Sequence, residues 1–501
     1  MPSTPPHSGM SERTDPDRPL DPDRPLDSGR SSDSGRSSDS GRSSDSGRSS
    51  DSGRSSDSGR SSGPSRSSGP DRLSGPDRLL GPDGGLPQAR PPWTHRDSLR
   101  ITRVRAVVTA PEGTPLVVVR VDTSDDGLYG LGCATFTQRY AAVTAAVDEH
   151  VGPLAVGRHP ADIEDITRLV HYSSYWRNGP VLNNALSGLD QALWDIAGKR
   201  AGLPVHELLG GRCRTAVEVY SHAAGHTVAE TLDRAEELIE AGYRNVRLQT
   251  GQPGLGAYGA PGTGGGYPRS PHPDGWDPER YLRSTPALFA AARGRLGDGV
   301  NLMHDVHSRL TPKQAVVLAR ALEPYGLSFL EDVVAPEFYD HLPAVRAASP
   351  VPVAVGEQLG SVPDAVRLVR DGGVDLLRLH TSSVGGLTPT RKLVALCELL
   401  GVRTAFHSPG DISPVGVAAN LAVDISSPAF GYQESHEYNE ATHEVFPGTP
   451  VVADGSLRPA EEPGWGITLD EKAAGRFPPV KFLHERWSAQ VRRPDGALEA
   501  P

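Results

Sequence analysis

Residues 301–312 read Asn-Leu-Met-His-Asp-Val-His-Ser-Arg-Leu-Thr-Pro, an apolar run that ends in an acid and an imidazole two positions apart. In a β-strand, side chains two residues apart point to the same face, so we expect Asp305 and His307 to project together. The stretch therefore predicts a strand with polar chemistry at its carboxyl end.

Two later apolar runs, residues 327–331 and 351–357, also end in an acid. Asp305, Glu331 and Glu357 are 26 residues apart in both steps, from 305 to 331 and from 331 to 357. A parallel strand–helix–strand unit occupies about 30 residues, so this spacing predicts three successive parallel strands. Their carboxyl ends would bring the three acids to one point.

Three neighbouring carboxylates need a counter-charge, because mutual repulsion would otherwise raise their pKa values until one of them became protonated. A single acid at a strand end is more often a solvated carboxylate, but the regular spacing favours a shared cation. An all-oxygen ligand set suits a hard ion. The trio predicts a site for Mg²⁺, one ion per active site, held by Asp305, Glu331 and Glu357.

The region around these acids alternates strands with helical segments, which is typical of a parallel α/β architecture. The predicted strands are 217–222, 245–250, 301–306, 328–333, 352–357, 374–380, 403–408 and 429–434, each but the last followed by a helical stretch. Eight such strands predict a (β/α) barrel, whose chemistry lies at the carboxyl ends of its strands. The alternative, an open doubly wound sheet, requires a Gly-rich phosphate loop that residues 222–226 do not supply.

The preceding residues have the pattern of a small α+β domain. Runs at 100–109, 116–123 and 129–135 predict three strands, the first two joined as a hairpin. Residues 184–201 repeat leucine and isoleucine at helical spacing before Gly202 and Pro204. The fold class is therefore α/β, a modified (β/α)8 barrel (213–440) with an N-terminal α+β capping domain (99–212) that a C-terminal segment (441–501) completes.

Residues 1–98 differ in composition from the rest of the chain. Asp-Ser-Gly-Arg-Ser-Ser is repeated six times in tandem over 27–62. A six-residue repeat could indicate a β-helix, but these repeats have no apolar position to stack into a core. The composition predicts a disordered low-complexity tail.

Overall composition restricts the partners and the compartment. Because the formal net charge is −11, we expect the chain to bind neither nucleic acid nor an anionic membrane. Three scattered cysteines predict no disulfide framework and a reducing, cytoplasmic location. No apolar run is long enough for a membrane span or has the form of a signal peptide.

A Gly- and Pro-rich connection, residues 250–278, is far longer than the usual βα turn of about 2–6 residues. Loops of this length are usually functional or disordered. Its predicted position above the barrel mouth favours a lid.

The chain resembles the enolase superfamily and, within it, the D-mannonate dehydratase subgroup of sugar-acid dehydratases. The similarity extends over about residues 100–497 and is carried by segments in family order, among them Tyr175-Trp-Arg-Asn-Gly-Pro, Ala192-Leu-Trp-Asp-Ile-Ala-Gly-Lys, Val246-Arg-Leu-Gln-Thr-Gly, Leu302-Met-His-Asp-Val-His-Ser and Phe406-His-Ser-Pro-Gly-Asp-Ile-Ser-Pro. The repeat-containing tail has no counterpart in the family.

The resemblance implies a role for each candidate site residue. Asp305, Glu331 and Glu357 correspond to the Mg²⁺ ligands, in agreement with the spacing argument. An Arg–Tyr dyad, Arg247 with Tyr258, corresponds to the base, with Tyr267 as the second candidate for its tyrosine. His307 corresponds to the general acid, although it could instead only orient Asp305. The residues that correspond to sugar-acid contacts are His222, Arg378, His407, Asp411 and Glu434.

The implied reaction is Mg²⁺-dependent dehydration of D-mannonate, D-gluconate or both to 2-keto-3-deoxy-D-gluconate through an ene-diolate. The enzyme would be a hydro-lyase and is expected to be a homo-oligomer. Two alternatives remain. One is a racemase or epimerase of the same superfamily, although such relatives usually carry Lys-x-Lys where this chain has Arg247-Leu-Gln. The other is a catalytically weak sugar-acid-binding protein, since Pro115 and Phe406-His-Ser-Pro depart from the subgroup pattern.

Deleting residues 1–95 is expected to leave the melting temperature and turnover nearly unchanged, because the repeats have no apolar side chains to contribute to a core. Differential scanning fluorimetry and a turnover assay on the full-length and truncated chains measure this. A large loss of thermal stability in the truncated chain would show that the tail packs on the folded part.

Overall fold

The computed structural model describes residues 97–252 and 275–479, together with residues 493, 495 and 497. The predicted tail lies outside these residues except for its last two positions. Most of the predicted lid, including both candidate tyrosines Tyr258 and Tyr267, also lies outside them.

The amino-terminal part begins with an antiparallel sheet of three strands in chain order. These are β1 (Ile101–Thr109), β2 (Leu116–Thr123) and β3 (Tyr129–Cys133). The predicted hairpin is confirmed, with Thr109 opposite Leu116 where the turn begins. Strand β2 lies in the middle and is almost wholly buried, as its run of valines requires.

Helices cover one face of this sheet. They are α1 (Tyr140–Ala145), which continues as a π-helical segment (Ala146–Val151), α2 (Gly152–Ala155), α3 (Ile163–Tyr172), α4 (Pro180–Ala201) and α5 (Val205–Leu208). Helix α4 packs against β3 so closely that a Cβ at Gly130 or Gly132 would lie 2.0 Å from a backbone oxygen of α4. The two glycines of β3 therefore permit the contact between helix and sheet.

Eight parallel strands form a closed barrel. They are β4 (Val217–Gly225), β5 (Asn245–Thr250), β6 (Asn301–Asp305), β7 (Phe329–Glu331), β8 (Val353–Val355), β9 (Leu376–Leu377), β10 (Arg403–Phe406) and β11 (Phe430–Glu434). Strand β11 pairs with β4, with Gln433 opposite Val219 and Glu434 opposite Tyr220. This pairing confirms the predicted barrel and contradicts the open sheet. One buried side chain from each of six strands packs inside: Tyr220, Met303, Phe329, Ala354, Leu376 and Ala405.

The remaining elements are α6 (Val228–Glu240), α7 (Pro278–Leu296), α8 (Pro312–Leu322), α9 (Leu342–Ala348), α10 (Val362–Arg370), α11 (Leu387–Leu400), α12 (Pro414–Ser426), α13 (Glu440–Val445), β12 (Ser456–Leu457) and α14 (Glu471–Ala474). Helix α13 follows the last barrel strand, where the sequence predicted none. Six residues are too few to show helical periodicity, and the start of α13 is instead fixed by the Asn439 side chain, which accepts from the Thr442 backbone N–H.

The segment after the barrel returns to the first sheet. Glu471 of α14 pairs with Arg105 at 2.5 Å and with Arg120 at 2.9 Å. The backbone N–H of Ala110 donates to the Phe477 carbonyl at 2.8 Å. These contacts agree with a C-terminal segment that completes the capping domain, whereas the exact domain boundaries stay a prediction.

Two compositional predictions can be compared with the described residues. Cys133, Cys213 and Cys397 are all free, as predicted. Within the same residues, no helix combines the length and the apolar character that a membrane crossing needs.

Helix α8 follows the loop that carries His307, and its start is fixed by local hydrogen bonds. The Thr311 side chain accepts from the Gln314 backbone N–H, and the Gln314 side chain accepts in return from the Thr311 backbone N–H. This reciprocal capping box satisfies two donors that the first turn of a helix otherwise leaves unpaired.

Replacing Thr311 by alanine should lower the free energy of unfolding by about 1 kcal/mol, the usual cost of losing an N-cap side chain. Urea denaturation of the wild-type and Thr311→Ala chains measures it. Lys313→Ala, in the same turn but without a capping bond, is the control and should change stability little. Equal effects of the two substitutions would contradict the capping role.

Candidate active site

The predicted acids lie together at the carboxyl end of the barrel. Asp305 and Glu331 are the last residues of β6 and β7 and stand opposite each other in the parallel ladder. Glu357 follows β8 by two residues. Asp305 and Glu331 are buried, and the Glu357 side chain is 14% exposed. Parallel strands in register thus bring together acids that are 26 residues apart in sequence.

Two buried arginines lie between these acids. Arg247 Nη1 is 2.6 Å from Glu331 Oε1 and 3.6 Å from Asp305 Oδ2. Arg378 Nη2 is 3.0 Å from the same Glu331 oxygen, and Arg378 also forms ion pairs with Glu357 and Glu434. The side chains of Arg247 and Arg378 are 1% and 0% exposed. Each guanidinium is therefore shielded from water and contacts carboxylate oxygens instead.

Glu434, at the end of β11, joins the predicted substrate-binding residues to this network. His222 Nε2 lies 2.6 Å from Glu434 Oε1, and Arg247 Nη1 lies 3.3 Å from the same oxygen. The Ser408 backbone N–H donates to Glu434 Oε2 at 2.8 Å. Because β11 closes the barrel on β4, acids and bases from opposite ends of the sequence become neighbours.

The loop after β6 has an unusual backbone. His307 and Ser308 have φ values of 55° and 64°, in the left-handed region that non-glycine residues rarely adopt. The His307 backbone N–H donates to Asp305 Oδ1 at 2.6 Å, and the Ser308 backbone N–H donates to the Asp332 carbonyl at 2.7 Å. These bonds hold the strained turn, and His307 faces a cavity above the acids.

This cavity has a volume of about 330 Å³ and lies between the barrel mouth and the capping domain. Predicted site residues on its wall are His307, Glu357, His407 and Asp411. His407 Nε2 is 3.5 Å from Glu357 Oε2. The other lining residues are Thr135, Phe136, Thr137, Gln138, Pro180, Gln358, Leu359, Gly360, His380 and Ser383. The predicted residues thus form two layers. The lower layer, called the floor, is the charged network of Asp305, Glu331, Glu357, Arg247, Arg378, Glu434 and His222, and the polar cavity lies above it.

Burial dominates the protonation of the floor. It raises the pKa of Glu331 to about 8, against the opposing charges of Arg247 and Arg378. It also raises the pKa of Glu357 well above its usual range, against the opposing charge of Arg378. Burial also opposes ionisation of Asp305, but the surrounding positive charges, Arg247 first, together lower the pKa of Asp305. The two arginines therefore compensate the negative charge only in part.

The three carboxylates do not form a coordination shell in this arrangement. Among residues 97–252 and 275–479, no three His, Cys, Asp or Glu side chains are placed so that they could hold a metal ion. The carboxylates contact the guanidinium groups of Arg247 and Arg378 instead. The assignment of Asp305, Glu331 and Glu357 as metal ligands stays a prediction.

Sequence reasoning did not select Tyr220 and Asp332, which belong to the same floor. The Tyr220 hydroxyl lies 3.2 Å from Arg378 Nε and donates to Glu331 Oε2 at 3.4 Å. Asp332 is buried with a φ of 39° and directly follows Glu331. Tyr220 precedes His222 by two residues, so the alternation along a strand could have indicated it; nothing in the sequence indicates that Asp332 turns inward.

Comparison with known proteins identifies the class to which this fold and site belong. Residues 94–210 match the mandelate racemase / muconate lactonizing enzyme N-terminal domain, and residues 230–473 match the family described as enolase C-terminal domain-like. The chain is thus a member of the enolase superfamily, as the resemblance predicted.

Full-length relatives narrow this assignment. A D-galactonate dehydratase family member from Catenulispora acidiphila is 86% identical over 83% of this chain and 97% of its own length. Another, from Pantoea ananatis, is 47% identical over 81% of this chain and 100% of its own length. Within the superfamily, the chain therefore belongs to the D-galactonate dehydratase family, which bears out the prediction of a sugar-acid dehydratase-like enzyme of the hydro-lyase class.

A solved structure shows the same architecture. The crystal structure of an enolase from Pantoea ananatis with bound D-gluconate and Mg matches with a TM-score of 0.74 at 46% identity, over 80% of this chain and 100% of that one. A putative galactarate dehydratase from Agrobacterium radiobacter, bound to Na and L-malate, matches with a TM-score of 0.69 at 25% identity, over 80% of this chain and 100% of that one.

Replacing Glu434 by glutamine should lower the free energy of unfolding by about 3 kcal/mol, because two buried arginines lose a charge partner. Burial alone would raise the pKa of Glu434, but Arg378 and Arg247 hold it well below its usual range. A lowered folded-state pKa stabilises the protein above the ordinary glutamate pKa, and this stabilisation is lost as the pH falls through the folded value.

The measurement is thermal unfolding of the wild-type and Glu434→Gln chains at pH 7 and below about pH 4. The difference between them should shrink at the lower pH. Glu440→Gln, an exposed position in α13, is the control. A Glu434→Gln chain as stable as the wild type at pH 7 would contradict the proposed charge compensation.

Proposed function

We propose that this chain catalyses the Mg²⁺-dependent dehydration of a six-carbon sugar acid, D-mannonate or D-gluconate, to 2-keto-3-deoxy-D-gluconate. The observation that carries the proposal is the convergence of Asp305, Glu331, Glu357, Arg247 and His307 on one barrel mouth in a member of a dehydratase family. Removal of a proton beside a carboxylate and loss of a neighbouring hydroxide both need charged groups arranged in this way.

The donor set fits a hard divalent cation. Asp305, Glu331 and Glu357 would hold it, because all three offer oxygen ligands and Glu331 and Glu357 have raised pKa values that an added positive charge would lower. When bound, Mg²⁺ supplies Lewis-acid stabilisation of the charge that develops on the substrate carboxylate. Since Arg247 and Arg378 contact the same carboxylates, these ion pairs and the cation would compete.

Arg247 is suited to prepare the base. A guanidinium favours the ionised form of a neighbouring phenol, whose pKa is otherwise about 10. Arg247 is held in the barrel by Glu331 and Glu434, so its charge is fixed at the mouth. Its partner would be Tyr258, with Tyr267 as the second candidate; both lie outside the described residues.

His307 is the candidate acid for the departing hydroxide. Burial lowers its pKa to about 3, so the ring is neutral at pH 7 before substrate binds. A substrate carboxylate in the cavity would add negative charge and favour the imidazolium form that an acid requires. Its position on the cavity wall supports this role.

Five further residues are proposed to hold the sugar acid: His222, Arg378, His407, Asp411 and Glu434. Arg378 can donate a fork of hydrogen bonds to a carboxylate or to paired hydroxyls. His407 and Asp411 line the cavity and each has a buried polar atom without a partner among the described residues. Buried polar atoms of this kind are costly unless a ligand or water satisfies them.

Racemisation on the same scaffold has less support. The second barrel strand carries Gln249 where a lysine base would be needed, and Gln249 donates to the Asp305 carbonyl at 3.3 Å. Asp375 lies at the amino end of its strand, 2.7 Å from Arg346, and so points away from His407. Dehydration therefore fits the available side chains better than racemisation.

The substrate choice rests on chemistry at C2. D-mannonate and D-gluconate differ only there, and dehydration turns C2 into a carbonyl carbon, so both give the same product. D-galactonate differs from D-gluconate at C4 and tests the contacts to the distal hydroxyls. A homo-oligomeric, cytoplasmic enzyme is proposed on the basis of the sequence and the resemblance alone.

The deciding experiment is a panel of D-mannonate, D-gluconate and D-galactonate, with α-keto acid formation as the readout. We expect turnover of at least one of the first two, at a kcat/KM about one to three orders of magnitude below that of a dedicated enzyme; each tenfold corresponds to about 1.4 kcal/mol of transition-state stabilisation. Ligand-induced thermal stabilisation without product would indicate a binding protein instead.

Glu331→Gln is expected to abolish turnover and to weaken Mg²⁺ binding, because it removes a charge from the ligand set while preserving its shape. Isothermal titration calorimetry with MgCl₂ on chelator-treated protein gives a readout that does not depend on catalysis. Glu323→Gln, an exposed position after α8, is the control. Full activity in excess EDTA would contradict the metal assignment.

A further inference from the structure

His380 lies on the same wall as the proposed substrate-binding arginine but nearer the capping domain. It follows Arg378 by two residues just beyond the sixth barrel strand, β9, where the backbone is still paired with its neighbours: the Arg378 N–H donates to the Val355 carbonyl, and the His407 N–H donates to the Leu379 carbonyl. Arg378 contacts the floor through Glu331, and His380 lies one layer above it on the cavity wall.

One ring nitrogen of His380, Nε2, forms no hydrogen bond with the residues that the structure describes. Nε2 of His380 is shielded from solvent and has no hydrogen-bond partner among residues 97–252 and 275–479, and the same holds for Nδ1 of His407. The two rings lie 5.1 Å apart between centroids with an angle of 32° between their planes. Two neighbouring imidazoles that line one cavity therefore each carry an unsatisfied nitrogen, which is costly unless a ligand or water pairs with it.

The charge state of the His380 ring restricts what it can bind. Burial, together with the nearby Arg378 charge, lowers the pKa of His380 to about 4. A neutral imidazole has one donor and one acceptor nitrogen. That pair matches a hydroxyl group, which both donates and accepts, better than it matches a carboxylate.

The position of His380 indicates which hydroxyls it can reach. The acids at the floor would hold the carboxylate end of the substrate, and residues 135–138 of the capping domain line the same cavity. A sugar chain bound at the floor and filling this cavity would extend towards those residues. His380, which lines the cavity while Arg378 does not, would then lie beside the part of the chain distant from its carboxylate.

We propose that His380, paired with His407, is a positioning residue that exchanges hydrogen bonds with the hydroxyls of the sugar acid distant from its carboxylate. This role rests on the proposed function. It assigns to His380 a contribution to specificity for chain length, separate from the proton transfers given to His307 and to the Arg–Tyr dyad.

The test compares D-gluconate with acids shortened at the far end, D-xylonate without the sixth carbon and L-threonate without the fifth and sixth. His380→Phe keeps a ring against His407 but removes the polar nitrogens. For D-gluconate, His380→Phe should lower kcat/KM about tenfold to a hundredfold, mainly through KM, which is the range expected for a lost hydrogen bond to a substrate hydroxyl. For L-threonate the wild-type and variant values should be nearly equal.

Two further variants separate positioning from packing. His380→Gln retains a donor and an acceptor and should recover part of the loss for D-gluconate. His341→Phe, an exposed histidine outside the cavity, should leave all three acids unaffected. Equal losses for all three acids with His380→Phe would show that the ring only supports the fold and would overturn the proposal, as would no loss at all.

Binding calorimetry with the same acids distinguishes a failure of this proposal from a failure of the proposed function. D-mannonate is included in both assays. If the wild type binds D-gluconate but turns over neither D-gluconate nor D-mannonate, dehydration is contradicted, while a selective loss of D-gluconate affinity in His380→Phe still supports the positioning role. If the wild type turns over either six-carbon acid and His380→Phe behaves identically with it, only the role of His380 is contradicted. If the wild type neither binds nor turns over any of the four acids, both are contradicted.

Discussion

The structure of the barrel mouth depends on charge compensation between buried carboxylates and two buried arginines. Arg247 and Arg378 contact Glu331 at 2.6 Å and 3.0 Å, and both also contact Glu434. Removing either arginine would leave these buried acids with less compensating charge, and uncompensated charge is costly in a protein interior. Four strands thereby become electrostatically coupled at the ends where their backbone ladders stop, and this coupling orders the candidate active site.

The two arginines compensate the negative charge of the buried carboxylates only in part. The raised pKa values of Glu331 and Glu357 mean that the floor holds more potential negative charge than the arginines neutralise. A divalent cation would neutralise the remaining negative charge. The buried acids that are costly for folding are therefore the same residues that the proposed chemistry requires. The left-handed backbone at His307, Ser308 and Asp332 lies in the same region. Strain concentrated beside such acids is typical of functional sites.

Substrate selection is expected to depend on the boundary between the barrel and the capping domain. The cavity is lined by barrel residues from four strand ends and by residues 135–138 of the cap. In the proposed function, the chemistry common to sugar acids would take place on the floor, whereas contacts that distinguish one acid from another would lie near His380 and His407. A change in the cap or in the His380 layer can therefore alter specificity without disturbing the charged floor.

The sequence by itself determined the barrel, the three-stranded sheet and the positions of the three acids. Strand periodicity and the repeated interval between Asp305, Glu331 and Glu357 are local properties of the chain, and a parallel barrel converts them into proximity. The resemblance added Arg247, His307 and the substrate contacts. Only the tertiary structure decided that Arg378 and Arg247 lie between the acids, that Asp332 turns inward, and that His380 lies beside His407. These depend on side-chain directions and on closure of β11 against β4, and no local pattern encodes a contact between residues so far apart in sequence.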